Sequence, residues 1–261
     1  MNVLITGAAS GIGRAAADCF IKQGHRVFGI DVAPISEDYP SFAADITDEA
    51  SLLRVKDFLQ ENGIALDAVV NIAGVHMMAS LVESDYQRMK KVVDINLTGT
   101  MLVNRVFHQC LKKDGRIIIV TSEVAGMAPM PFNGLYNVTK TALESYAQAL
   151  RQELNLLGQK VVTIRPGAVA TPLSDGSVKA TADLADTTVL YQKQAKRFSS
   201  IAAKFMGKPI APKVLGTLIY KATVAKHPKL TYKKHRNPGL VMLSWLPIRW
   251  QCAVIKLLLN W

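Results

Sequence analysis

Apolar and polar positions along the chain follow two alternating rhythms. Short, nearly unbroken apolar runs stand at Val3–Ile5, Val27–Ile30, Ala68–Asn71, Ile117–Val120 and Val161–Ile164. Between them lie stretches of helical period near 12–23, 48–61, 85–111 and 134–157. A strand that is apolar at every position is buried on both faces, and strands alternating with helices predict a parallel sheet covered on both sides. Right-handed crossovers make that sheet doubly wound, so the fold class is α/β.

After Ile164 the rhythm changes. Residues 171–210 begin small and polar (TPLSDGSVKATADLAD) and continue helical with lysines. In a doubly wound sheet this region follows the carboxyl end of a strand, where ligands bind, so it is expected to form a lid. Residues 212–226 read as a further helix and 229–232 as an edge strand.

The 261 residues suffice for one large domain with its own core. The three cysteines (Cys19, Cys110, Cys252) are far apart and have no histidine at ligand spacing. Neither a metal site nor a disulfide framework is expected, which fits a reducing, cytoplasmic setting. The opening NVLITG has no basic leader, so no secretory signal is expected.

Charge is unevenly placed. Of the 31 Lys and Arg, 14 fall in residues 187–261, which contain no acid; the other 17 share residues 1–186 with all 20 Asp and Glu. The three tryptophans (Trp245, Trp250, Trp261) lie in the last 17 residues. No nucleic-acid-binding motif accompanies this charge, and no nucleic-acid partner is expected.

TGAASGIG (Thr6–Gly13) directly follows the first apolar run and opens a helix. Gly7 permits a tight turn, Gly11 lets backbone approach a ligand, and Gly13 lets helix and strand pack closely. Together with Ser10 and Ile12 these residues place a helix N-terminus against a pyrophosphate. Asp31 ends the second run and can accept hydrogen bonds from both adenosine ribose hydroxyls. With no basic residue beside it, and Ser10 rather than a base before Gly11, NAD is favoured over NADP.

Tyr136 and Lys140 (YNVTK) stand at i and i+4 on one helix face. A free phenol titrates near 10, and a neighbouring ammonium would lower that value. Tyr136 could then exchange a proton with a ketone or an alcohol. Ser122 ends the run IIIVTS, where its hydroxyl could hold a substrate oxygen. Asn96, in DINLTG, could hold a water joining Lys140 to solvent.

With NIAG (Asn71–Gly74), the DIT of Asp45–Thr47 and PGAVAT added, the motifs in their order resemble the classical short-chain dehydrogenase/reductase family across residues 3–172. The resemblance implies a single Rossmann-type domain of about seven strands, a homodimer or homotetramer, and hydride transfer between a nicotinamide cofactor and an alcohol or carbonyl carbon. Carried over, Asn96, Ser122, Tyr136 and Lys140 would be the catalytic tetrad, with Lys140 also on the nicotinamide ribose. Asp45 and Ile46 would flank the adenine. Asn71, Ala73 and Gly74 would line the middle of the cofactor, and Val169 and Thr171 would meet its carboxamide. In many members the serine stands 13 residues before the tyrosine; here that position is Glu123, and Ser122 stands 14 before. Glu123 is then either a solvated or ion-paired acid, or a polar group facing the substrate.

Residues 1–236 are thus expected to form the dehydrogenase domain with its lid, and 237–261 a helical, basic extension. Pro247 should break that extension. Beyond it Arg249, Lys256 and Asn260 form one narrow polar stripe, while Ile248, Trp250, Val254, Leu257, Leu258 and Trp261 cover most of the rest. Such a helix suits a membrane surface, a cap over a lipophilic alcohol or ketone, or a subunit contact. Spanning would put Arg249 near a bilayer centre at about 2.5–3.5 kcal/mol, so peripheral docking is the expectation. The alternative to an enzyme is a non-catalytic NAD-binding sensor held at a membrane or partner.

Overall fold

The computed structural model describes residues 1–35, 38–205 and 207–260; Trp261 lies outside them. Among the described residues, Asn2–Thr6 (β1), Arg26–Asp31 (β2), Ser41–Ala43 (β3), Leu66–Asn71 (β4), Leu111–Val120 (β5), Lys160–Pro166 (β6) and Thr231–Lys234 (β7) form one parallel sheet. Its order is β3-β2-β1-β4-β5-β6-β7, which reverses direction between β1 and β4. The helices are Gly11–Lys22 (α1), Glu49–Glu61 (α2), Tyr86–Val93 (α3), Thr100–Phe107 (α4), Gly134–Asn155 (α5), Pro172–Ala182 (α6), Gln192–Phe205 (α7), Pro212–Val224 (α8), Pro238–Ser244 (α9) and Ile248–Asn260 (α10).

Consecutive strand residues enter opposite cores, which is why the strands show no polar alternation. Leu4, Phe28 and Val69 face one core with Leu52 and Leu59 of α2, Phe107 of α4 and Leu143 of α5. Val3, Ile5 and Val70 face the other with Ala16 and Phe20 of α1 and Leu215 and Ile219 of α8.

Two expectations need correction, and one strand was not foreseen. The stretch 85–111 is not one helix: a wide π turn over Asp94–Gly99 separates α3 from α4, and a short 3-10 turn over His108–Cys110 leads into β5. The edge strand runs 231–234 rather than 229–232. β3 has only three residues and no periodicity, so no apolar run announced it.

The expected lid is helical. It leaves the sheet after β6 and returns through a bridge between Val169 and Ile210, where Ala170 N–H donates to Ile210 O (2.9 Å) and Ile210 N–H to Ala168 O (3.1 Å). It has its own small core of Leu184, Ala185, Ala195 and Phe198, completed by Met78 and Phe132 from the sheet side and by Leu259 of α10. Arg197 Nε donates to Leu258 O (3.2 Å) and Gln194 Nε2 to Asn260 Oδ1 (2.9 Å). Residues 237–260 are therefore fastened to the lid. Pro247 separates α9 from α10, as its missing N–H and fixed φ require. The apolar side of α10 divides: Ile255 and Leu259 turn inward, whereas Ile248 (77% exposed), Trp250 and Leu257 face outward with Trp245 (77%). Among the described residues no helix is long and apolar enough to cross a membrane.

Candidate active site

The ends of β1 and β4 meet where the sheet order reverses. Thr6 Oγ1 ties them together by accepting from the N–H groups of Ile72 (3.1 Å) and Ala73 (3.2 Å). Gly7 turns the chain at φ +71°, and a Cβ there would lie 2.9 Å from Ala73 N. A Cβ on Gly13 would lie 1.8 Å from Gly7 O, so no other residue fits. Ser10 stands before α1 without capping it through its side chain, which leaves the first N–H groups of the helix free to meet an anion.

These residues open onto a cleft of about 540 Å³. Gly7, Ser10, Gly11, Ile12, Gly13, Asp31, Asp45, Ile46, Ala73, Gly74 and Thr171 all line it, and the donor set and glycine cradle suit a dinucleotide. Asn71 does not line it: its side chain turns inward, where Nδ2 donates to Asn104 Oδ1 (2.8 Å). Val169 is likewise buried beside the lid's base. The cleft also takes in Val75, Lys91 and Ile95, which no motif marked. The Asp31 carboxylate accepts from the N–H groups of Ala9 and Ala33, both at 3.0 Å, so its position is fixed from the strand end outward.

Next to the cleft the ends of β4 and β5 meet the start of α5. Ser122 is buried, its Oγ accepts from Val124 N–H (3.4 Å), and it lies close enough to the Tyr136 phenol to pull that group's pKa down. Burial, opposed by Ser122, pushes the phenol up to about 12. Burial also brings the Lys140 ammonium down to about 8. Lys140 Nζ donates to Val120 O (3.3 Å) and lies 5.8 Å from the Tyr136 ring centre. The expected lowering of the phenol by Lys140 is thus not seen: desolvation sets its direction. The proton stays on Tyr136 at neutral pH, the state of a proton donor.

Asn96 sits in the π turn, a bulge frequent at functional sites. Its amide makes three bonds within the protein. Oδ1 accepts from Val75 N–H (2.7 Å), and Nδ2 donates to Val75 O (2.8 Å) and Thr139 Oγ1 (3.2 Å). It holds the loop after β4 against α5. Gly74 makes room there, since a Cβ would lie 3.1 Å from Asn96 Oδ1 and 3.5 Å from Lys140 Nζ.

Glu123 is not a solvated acid. It is only 9% exposed, and Oε2 accepts from Asn237 N–H (2.5 Å), so it anchors the chain before α9. Burial raises its carboxyl above the usual range, while the Asn237 bond and the nearby Arg236 and His235 pull it back. One turn beyond Lys140, Glu144 receives Arg165 in a two-point ion pair (2.7 and 2.9 Å) and the Thr121 hydroxyl (2.6 Å). Helix α5 is thereby pinned to both strands that flank the site. A charged fork of this kind fixes orientation as well as distance.

The sequence profile of the short chain dehydrogenase family matches residues 1–182. The 3-ketodihydrosphingosine reductase of Bacteroides thetaiotaomicron is 28% identical over 256 residues, covering 94% of this chain and 93% of that protein. The NADPH-dependent 1-acyldihydroxyacetone phosphate reductase of Schizosaccharomyces pombe is 34% identical over 181 residues, covering 66% and 60%. A crystal structure of a short chain dehydrogenase family protein from Francisella tularensis superposes with a TM-score of 0.75 at 21% identity, over 89% of this chain and 96% of that one.

Proposed function

The chain belongs to the short-chain dehydrogenase family, and from that premise we propose that it is an NAD-dependent reductase of a lipophilic ketone. The observation that carries this reading is the grouping of buried Ser122 and Lys140 with half-buried Tyr136 beside a glycine-lined dinucleotide cleft. A nicotinamide dinucleotide supplies the hydride when bound. The chain does the rest. Gly7, Gly11 and Gly13 with the start of α1 hold the pyrophosphate, Asp31 the adenosine ribose, and Asp45 and Ile46 the adenine. Thr171 meets the carboxamide and Lys140 the nicotinamide ribose. Ser122 fixes the ketone oxygen, and Tyr136 gives it a proton as the carbon is reduced. A lid with an apolar core and two relatives named for long-chain ketone substrates favour a lipophilic substrate.

Asp31 decides the cofactor. Its carboxylate is fixed in the cleft and would repel a 2′-phosphate, so kcat/KM with NADH should exceed that with NADPH. Asp31→Ala should narrow the gap chiefly by weakening NADH. Equal values in the unaltered protein would overturn the assignment. Binding of NAD without turnover of any alcohol or ketone would replace the enzyme by a sensor.

The outward apolar residues Trp245, Ile248, Trp250 and Leu257, on a segment rich in base and free of acid, favour docking on an anionic membrane surface. Vesicles containing anionic lipid should co-sediment the protein, and less so as salt screens the attraction beyond about 8 Å. A Trp245→Ser, Ile248→Ser, Trp250→Ser variant should stay in the supernatant. Equal sedimentation of the two proteins would exclude this face as the membrane contact.

A further inference from the structure

A second cavity, of about 320 Å³, lies where the loop after β4, the start of α7 and the last turns of α10 converge on the loop into α5. It shares no lining residue with the cofactor cleft. Leu81, Phe132, Tyr191, Ile255 and Leu259 give it apolar walls, and the exposed Lys256 stands at its edge. Solvent reaches it, since Leu81 is 52% exposed and Val82 72%.

The walls are fastened to one another around this space. The Glu83 carboxylate accepts from Val189 N–H (2.8 Å), Leu190 N–H (2.9 Å) and the Thr188 hydroxyl, which ties the β4 loop to the lid just before α7. Gln194 and Arg197 hold α7 to the end of α10. Phe132 stands at φ +65°, a left-handed conformation strained for a bulky side chain. Its carbonyl accepts from Ala79 N–H (2.8 Å), and its ring meets those of Tyr191 and Phe198 edge-on, 5.9 and 5.5 Å between centres. Strain of this kind persists only where the surroundings impose it, and it gathers at ligand clamps. Lys256 is the one charged residue lining the cavity. Among the described residues it makes no ion pair, and residues 187–261 hold no acid to supply one. Glu83, on the facing loop, is committed to the lid.

An apolar hollow with one cation at its edge is complementary to an apolar chain with one anionic end. Its volume is at the lower end of the roughly 300–1,000 Å³ of small-molecule sites, room for one such chain and not for two. We propose that this cavity binds a single-chain anionic amphiphile, of the chemistry of a medium-chain fatty acid. The chain lies against Leu81, Phe132, Ile255 and Leu259, and the carboxylate meets Lys256 Nζ. The site stands apart from the reductase reading, for nothing is oxidised or reduced in it. One bound chain would join the lid, α10 and the loop that leads to Tyr136.

The test is isothermal titration calorimetry of the full chain with decanoate, decanol and decyltrimethylammonium, each below the concentration at which it self-associates. Decanoate should bind saturably, one per chain. It should bind more tightly than decanol by on the order of 3–10-fold, between the worth of an exposed ion pair and that of a charged hydrogen bond. The ammonium compound should bind more weakly than decanol. Lys256→Gln should bring decanoate to within about twofold of decanol, with the affinity for decanol unchanged. Lys256→Glu should reverse the order of the two ions. Both substitutions fall on an exposed side chain outside the cofactor cleft and the Ser122–Tyr136–Lys140 group. The Trp245→Ser, Ile248→Ser, Trp250→Ser variant removes the outward apolar face and keeps the cavity walls, so it should bind decanoate as the parent does. Absence of saturable binding, equal affinity for the three compounds, a decanoate preference that survives Lys256→Gln, or loss of binding in the triple variant overturns the site. Tighter binding of dihexanoyl phosphatidate, whose two chains need a larger seat, overturns the single-chain assignment. No arm of the test measures turnover, so each of these results leaves the reductase reading standing.

Discussion

Tyr136→Phe is expected to reduce kcat by on the order of 10²–10⁴-fold or more, the contribution of a positioned general acid. The substitution keeps the ring, and with it the packing against His76 and the place over which Lys140 lies. It removes the hydroxyl that lies beside Ser122. Cofactor affinity should change little, because the ribose contact is assigned to Lys140 and the cradle to the turn after β1. Fluorescence titration with NADH separates the two effects. Near-normal kcat in this variant would sink the proposed mechanism, and a large loss of NADH affinity would move Tyr136 from proton transfer to cofactor binding.

The second large effect belongs to Ser122. Ser122→Ala removes the hydroxyl that would hold the developing alkoxide, and kcat should fall by on the order of 10²–10³-fold. Glu123→Gln should be milder, within about tenfold, because its oxygen can still accept from Asn237 N–H and the buried acid is replaced by a neutral group of the same shape. Steady-state kinetics of the pair decides between neighbours that sequence spacing left in competition. If Glu123→Gln is the more damaging, the acid and not the serine serves the substrate oxygen.

The pattern of apolar runs was enough to read the sheet, because strands buried on both faces leave an unmistakable signature. It did not reveal β3, whose three residues pair with β2 but turn only Phe42 toward the core, against Phe58, so no apolar run forms. Nor did it reveal the π turn, because one extra residue in a helix changes the phase of the pattern without changing its composition. The glycine turn and the Tyr136–Lys140 spacing could be read because they impose a backbone shape or a helix face. At Asn71 and Asn96 the motifs give a position but not which way a side chain turns: Asn71 Nδ2 turns to Asn104, and the Asn96 amide to Val75 and Thr139.

The bridge between Val169 and Ile210 also bears on how such a protein can diversify. Everything between these residues leaves and re-enters the sheet at one point, so the intervening forty or so residues behave as a cassette. Selection can lengthen, shorten or rewrite them while the strand order and most of the glycine cradle stay untouched. The cassette is not self-sufficient, however, because Leu259 of α10 is built into its core. A new lid grafted without a matching α10 would leave an apolar hole on one side and a stranded leucine on the other. The two stretches, far apart in the chain, are thus expected to drift together, and an engineered change of substrate in this scaffold must transplant both.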